Sequence, residues 1–386
     1  MAVALVNGRV LSDDGLVDGK CVLLDEGRIV DLMAESDPRC QAAQRYDLRG
    51  QLLLPGFFDL QVNGGGGVLF NDAPSVETIR AIGQAHRKFG TTGFLPTLIS
   101  ADLDVVARAI AAVQGAIQAG VPGVLGIHIE GPFLNVVRKG VHDPAKLREL
   151  DTSAVGLLTS LRGGKTLVTL APEMTTPEII EKLVKAGVVV SAGHTNATYA
   201  EIGTALTHGL TGFTHLFNAM SQLTGREPGV VGAALDDQKS WCGIIVDGEH
   251  TDPVVLRIAL RCKPHSRFML VTDAMPSVGT SQTSFNLQGR KITVSGTVCV
   301  DEDGRLAGSN IDMASCVRNA VKMLHLPLPE AVRMASRYPA EFLGLAHETG
   351  RIRAGYRANL VLADEELNVL ETWVDGRTSA EDGVSH

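Results

Sequence analysis

The sequence predicts a (β/α)8 barrel that carries a small β-domain assembled from both chain ends, and three observations predict it. Eight short apolar runs recur through the centre of the 386-residue chain, most of them followed by a stretch with helical spacing. The two ends share another texture, short alternating stretches broken by Gly and Asp. The length, finally, fits one barrel of about 250 residues plus a smaller module.

The first fifty residues hold alternating stretches at 3–6, 21–24 and 28–32, punctuated by Gly8, Gly15, Gly19 and Gly27. That is hairpin chemistry. The tail repeats it at 359–363 and 369–374 and closes on Asp375-Gly376. Both ends are therefore expected to form one discontinuous β-sandwich, residues 1–54 with 346–386, flanking a barrel over 55–345.

The eight central runs are 52–62, 92–98, 124–130, 166–171, 188–193, 212–217, 242–246 and 268–272. Between the first two, Val76, Ile79, Ile82, Ala85 and Phe89 recur every three or four residues behind Ser75, an N-cap candidate. Leu103, Val106, Ile110, Val113 and Ile117 repeat the pattern after the second. Strands alternating with helices pair in parallel, and eight units point to closure; a doubly wound open sheet is the competing architecture. A Gly/Ser/Thr-rich stretch near 276–309 alternates, as in Lys291-Ile-Thr-Val-Ser295, and predicts a hairpin insertion over the barrel mouth. Amphipathic helices are expected over 312–324 and 329–343.

A net charge of −8 argues against a general nucleic-acid binder, which needs a basic face. No run approaches the ~18 apolar residues of a membrane span, and Met1 to Arg9 shows no secretory pattern. The six cysteines form no C-x-x-C pair, which suits free thiols in a reducing compartment. A cytoplasmic location is expected.

Active sites of βα barrels sit at the C-terminal ends of the strands, so the polar residues ending the runs are the informative ones. The third run ends Gly126-Ile-His-Ile-Glu-Gly-Pro132 and the fifth Ser191-Ala-Gly-His-Thr195. The sixth contains Phe213-Thr-His-Leu-Phe-Asn218, and the eighth ends Val271-Thr-Asp-Ala-Met275. Glu130, His194, His215 and Asp273 would share one layer at the mouth. Two imidazoles and a carboxylate suit a divalent ion such as zinc with a position open for water. A carboxylate beside that water can take its proton. His128 faces the same way as Glu130 at period two; a supporting or packing role outweighs ligation for it. His86, His208, His265, His325, His347 and His386 fall on expected helices, loops or the terminus and carry no assigned chemistry. Gln61 and Asn63 project to one side at the end of the first run. Neutral amides are poor zinc ligands, so they are expected to hold water or substrate hydroxyls.

The whole pattern resembles the amidohydrolase superfamily and, within it, the N-acetylglucosamine-6-phosphate deacetylases. The resemblance runs over nearly the full chain, from Pro55-Gly-Phe-Phe-Asp59 to Gly355-Tyr-Arg-Ala-Asn-Leu360. Its most specific blocks are His128-Ile-Glu-Gly-Pro132, Lys139-Gly-Val-His142, Ala192-Gly-His-Thr195, Thr214-His-Leu-Phe-Asn-Ala-Met220 with Gly225-Arg-Glu-Pro228, Asp247-Gly-Glu-His250 and Thr272-Asp-Ala-Met275. It implies metal ligation by Glu130, His194 and His215, with Asp273 as general base and acid. It implies that His142, beside Val141, contacts substrate and helps polarise an acetamide. Asn218 and Ala219 would contact a sugar phosphate. Arg226 and His250 would bind the phosphate, with Arg226 reaching the neighbouring subunit's site in a homodimer. Leu306, Ala307, Gly308 and Ser309, on the insertion, would close over the N-acetyl group. Gln61-x-Asn63 stands where the superfamily often has His-x-His, which implies one metal ion per subunit, Zn2+ foremost, with Fe2+, Co2+ or Mn2+ also compatible. Phe133 stands where a Trp is frequent. Another amidohydrolase chemistry, or a non-catalytic sugar-phosphate sensor on the same fold, are the competing functions.

Overall fold

A computed structural model describes residues 2–385; Met1 and His386, the outermost positions of the expected β-module, lie outside the described residues. Eight parallel strands occupy the centre: β1 (Phe57–Val62), β2 (Thr91–Ile99), β3 (Gly126–Glu130), β4 (Lys165–Leu170), β5 (Val189–Ala192), β6 (Gly212–Phe213), β7 (Trp241–Ile244) and β8 (Phe268–Leu270). They pair in strict chain order. Closure comes just beyond β8: Val62 bridges Ala274 in parallel, and Thr272 donates from its amide and hydroxyl to Asp59 of β1. The open doubly wound sheet is excluded, because its strand order would reverse at a switch point.

The helices follow the sequence pattern closely. Ser75 Oγ accepts from the Thr78 amide and caps the helix Val76–Arg87, which buries Ile79, Ile82 and Ala85 against the barrel. Leu103–Gln118 buries Val106, Ile110 and Val113 in the same way. Near the C-terminal end the expected helix over 329–343 is two, Leu328–Ala335 and Arg337–Phe342, because Ser336 leaves helical backbone (φ −133°, ψ −73°).

The chain ends build two further sheets, the first from N-terminal strands alone and the second from both ends. One holds Val3–Val6, Lys20–Asp25, Arg28–Ala34 and Gln44–Asp47; the other joins Arg9–Ser12, Gly15–Val17 and Leu52–Pro55 to Leu360–Ala363, Val369–Val374 and Arg377–Thr378. Their inner faces share one apolar cluster, including Leu5, Val22, Ile29, Leu53, Leu360 and Trp373. The run 52–62 is thus two strands in two different sheets. Gly56 marks the division: a Cβ there would lie 2.1 Å from Thr92 Oγ1, so the backbone crosses too close to β2 for any side chain.

The insertion after β8 is larger than the expected hairpin. It is a four-stranded antiparallel meander, Ser284–Leu287, Arg290–Ser295, Val298–Val300 and Leu306–Ser309. Its last strand returns to the barrel mouth, where the Ser309 amide donates to the Asp273 carbonyl at 2.9 Å and Met275 donates back to Ser309.

A candidate metal centre at the barrel mouth

Among the described residues, Glu130, His194 and His215 form a cluster able to hold a metal ion, and all three are buried. Glu130 ends β3. His194 lies two residues beyond β5 and His215 two beyond β6, both on left-handed backbone (φ 49° and 32°). Asp273, three residues past β8, shares that conformation (φ 53°). A side chain here is turned off the strand line and across the mouth, at a cost of roughly 1–3 kcal/mol for each non-glycine residue. This is also why the sixth run reads longer in sequence than the two-residue strand it forms.

The donor atoms lie close together. Glu130 Oε1 is 3.1 Å from His194 Nε2 and 3.0 Å from His215 Nε2, and the two imidazole nitrogens are 3.1 Å apart. His194 Nδ1 donates to the Arg138 carbonyl at 2.9 Å, which leaves its Nε2 as a lone pair facing the others. A carboxylate oxygen and imidazole lone pairs at such spacing repel unless a cation or protons lie among them. Ligands held about 2.0–2.2 Å from one tetrahedral ion have edges of roughly 3.3–3.6 Å, so the donors need to spread by only a few tenths of an ångström to take a divalent ion. Burial opposes ionisation of Glu130, yet the imidazoles of His194 and His215 against it outweigh that and hold this carboxyl well below its usual range.

Gln61 and Asn63 do not join the cluster as ligands; they tie it to Asp273. Gln61 Nε2 donates to Glu130 Oε2 and to Asp273 Oδ1, both at 3.1 Å, and Asn63 Nδ2 donates to Asp273 Oδ1 at 2.6 Å. Burial, and then the charge of Glu130, push the Asp273 carboxyl up to about 6. Such a group is a usable proton acceptor near neutrality.

A cavity of about 330 Å³ opens over the cluster and brings most of the expected site together: Asn63, Glu130, Val141, His142, His194, His215, Asn218, Ala219, His250, Asp273, Leu306 and Gly308 all line it. His142 stacks on His194 with ring centroids 4.4 Å apart. Its Nδ1 accepts from the Ser100 amide, with Ser100 Oγ 2.7 Å away, so Nε2 carries the proton. Burial, and then His194, push the His142 imidazole well below its ordinary value and keep it neutral. His250 Nδ1 donates to Asp247 Oδ2 at 2.6 Å.

Four expected contacts do not line the cavity: Gln61, held by Glu130 and Asp273, and Ala307, Ser309 and Arg226. Ala307 packs with Ile99, Met275 and Ile292 in an apolar cluster, and the Ser309 hydroxyl donates to the Thr272 carbonyl. Along a strand alternate residues point to opposite sides, so only Leu306 and Gly308 of this segment reach the cavity. Arg226 is exposed on the stretch after Met220 and does not line the cavity of its own chain. Ile99, Val137, Arg138, Gly140, Met275 and Arg305 line it without having been assigned a role from the sequence. Gly140 and Met275 lay inside the motif blocks at 139–142 and 272–275, and Arg305 is a cation next to the 306–309 block.

A parallel barrel whose strand ends bring a carboxylate and two imidazoles together beside a buried Asp is the architecture of a metallohydrolase of the βα-barrel class. The model of the amidohydrolase family matches residues 52–379, and the chain belongs to this family. It is 44% identical to an N-acetylgalactosamine-6-phosphate deacetylase of Shewanella, over 95% of this chain and 93% of the relative. It is 36% identical to an N-acetylglucosamine-6-phosphate deacetylase of Haemophilus influenzae, over 98% and 99%. The crystal structure of the N-acetylglucosamine-6-phosphate deacetylase of Pasteurella multocida superposes with a TM-score of 0.94 at 36% identity, covering 98% of this chain and 99% of that one.

Proposed function

We propose that this protein hydrolyses the acetamide of N-acetyl-D-glucosamine 6-phosphate, giving D-glucosamine 6-phosphate and acetate. The observation that carries this is the contact geometry at the mouth: the Glu130, His194 and His215 cluster joined through Gln61 to Asp273 in one cavity. Glu130, His194 and His215 would hold one divalent ion, Zn2+ foremost. A bound ion supplies Lewis acidity to the amide carbonyl and makes water a nucleophile at neutral pH.

Asp273 takes the proton of the attacking water and then delivers it to the departing nitrogen, because an amide anion is too poor a leaving group to go unprotonated. His142, neutral with its proton on Nε2, donates to the oxyanion as it develops. Asn63, Asn218, Ala219, Leu306 and Gly308 shape the sugar and N-acetyl site, and His250, oriented by Asp247, contacts the phosphate. Arg226 completes the phosphate site of a neighbouring subunit in a homodimer; its exposure outside its own cavity supports that assignment. The β-module, 1–54 with 346–386, acts as one unit beside the barrel, supported by the apolar cluster its sheets share. Five of the six cysteines are buried free thiols, which suits a cytoplasmic setting.

The 44% identity to a relative named for the galactosamine epimer favours one second substrate, N-acetyl-D-galactosamine 6-phosphate. Acetate release from both epimers, with and without chelator and after metal reloading, is the test. Chelator-sensitive release from the glucosamine form is expected; release unaffected by metal removal, or none from either sugar, overturns the proposal.

A further inference from the structure

A line of buried hydroxyls and one imidazole crosses the barrel interior next to the metal cluster. His128 Nε2 is 2.7 Å from Thr169 Oγ1, and Thr169 Oγ1 is 2.6 Å from Thr214 Oγ1. Thr214 donates to Ser191 Oγ at 2.9 Å. On the other side His128 Nδ1 is 3.1 Å from Thr97 Oγ1, which accepts from the Val62 amide at 2.9 Å. His128, Thr97 and Thr169 are fully buried, and Ser191 and Thr214 nearly so.

Each hydroxyl has one proton, so the donors can be assigned in sequence. Thr214 uses its proton on Ser191, so Thr169 must donate to Thr214. That spends the Thr169 proton, so His128 Nε2–H donates to Thr169. His128 Nδ1 is then an acceptor, and Thr97, whose hydroxyl lies 3.1 Å from it and 3.3 Å from the Leu95 carbonyl, is its donor. The series runs in a single direction with one tautomer, and it touches β1 to β6. Thr169 of β4 and Thr214, the residue after β6, meet past the end of β5 only because Gly193 lies between them; a Cβ there would be 2.6 Å from Thr169 and 3.0 Å from Thr214.

The members sit where the ligands are launched. His128 is two residues before Glu130, Ser191 three before His194, and Thr214 directly precedes His215. We propose that His128, with Thr97, Thr169, Thr214 and Ser191, is a positioning network that fixes the spacing of the three metal ligands by cross-linking the strands that carry them. A buried network whose hydroxyls and imidazole hold one another is rigid, and a member that loses its partner is costly in a low-dielectric interior. Outer partners of metal ligands commonly contribute 10- to 100-fold to metal affinity.

The inference rests on the metal site proposed above, and the test separates the two. Metal-free protein is titrated with Co2+, reading both dissociation constant and visible spectrum, for the parent and for Thr169→Val, Thr169→Ser and Thr97→Val. A parent that binds no Co2+ overturns the metal site itself. With a binding parent, Thr169→Val is expected to weaken Co2+ roughly 10- to 100-fold and to alter the spectrum, while Thr169→Ser, which keeps the hydroxyl, restores both. Parent-like affinity and spectrum in Thr169→Val overturn the network, as does an equal loss in Thr169→Ser. Should Thr169→Val not fold, parent-like affinity and spectrum in Thr97→Val overturn it instead.

Discussion

Asn63 donates to Asp273 at 2.6 Å, so an amide just past the first barrel strand restrains the buried carboxylate that follows the last. The bond favours the ionised carboxylate against the burial that opposes it. Replacing Asn63 by Ala should therefore raise the Asp273 pKa. The acid limb of kcat/KM is expected to move up by about one pH unit, since a hydrogen bond to a charged group contributes roughly 1.5 kcal/mol and a unit is about 1.4 kcal/mol. A bound divalent cation places the parent's limb below about 6, so the comparison is between limbs measured at one metal loading. A downward shift contradicts the assigned direction.

Removing the carboxylate altogether is a cleaner probe of chemistry. Asp273→Asn keeps an oxygen for Gln61 and Asn63 and leaves the three ligands untouched. Metal content should stay at the parent's level while kcat falls by at least about 10²–10⁴-fold, the usual contribution of general acid–base catalysis. Near-normal turnover would remove Asp273 from the mechanism.

Phosphate recognition is tested at Arg226. Arg226→Ala should raise KM for the phosphorylated sugar at least about tenfold with little change in kcat, because a lost charge-assisted contact is uniform binding. Mixing Arg226→Ala with Asp273→Asn protein should regain activity in heterodimers if the arginine acts across subunits. Unchanged KM in the single variant rules out its assigned role.

Asp59 offers a stability test away from the chemistry. It is fully buried under Thr272, and burial pushes its carboxyl up to about 7. The folded state therefore holds a proton that the unfolded chain releases near 4, and stability falls as pH rises through the 4–7 window. Asp59→Asn cannot titrate, so the parent's advantage over this variant should shrink between pH 5 and pH 8 in denaturant unfolding. A widening gap would invert the linkage.

The repeating strand and helix pattern made the barrel legible, because periodic burial is written in consecutive residues such as Ile79, Ile82 and Ala85. The places of Glu130, His194 and His215 in one cluster were legible for the same reason, each standing at or just beyond a strand end. What the pattern hid was backbone that changes direction. Nothing in 52–62 announces that Gly56 sends the chain from one sheet to another, and the apolar run 212–217 conceals the left-handed turn at His215. Cavity residues outside the regular strands, such as Val137 and Arg138, have no period to betray them. The orientation of Ala307 and Ser309 away from the cavity depends on where the insertion's last strand docks, which no local pattern fixes.

The left-handed backbone at His194, His215 and Asp273 has a consequence for engineering. Glycine adopts that conformation freely, so His215→Gly or Asp273→Gly relieves strain in the metal-free fold while deleting the chemistry. A library of variants ranked by heat resistance alone would enrich glycine at these three positions. Selection for robustness and selection for turnover pull in opposite directions at the same backbone bonds.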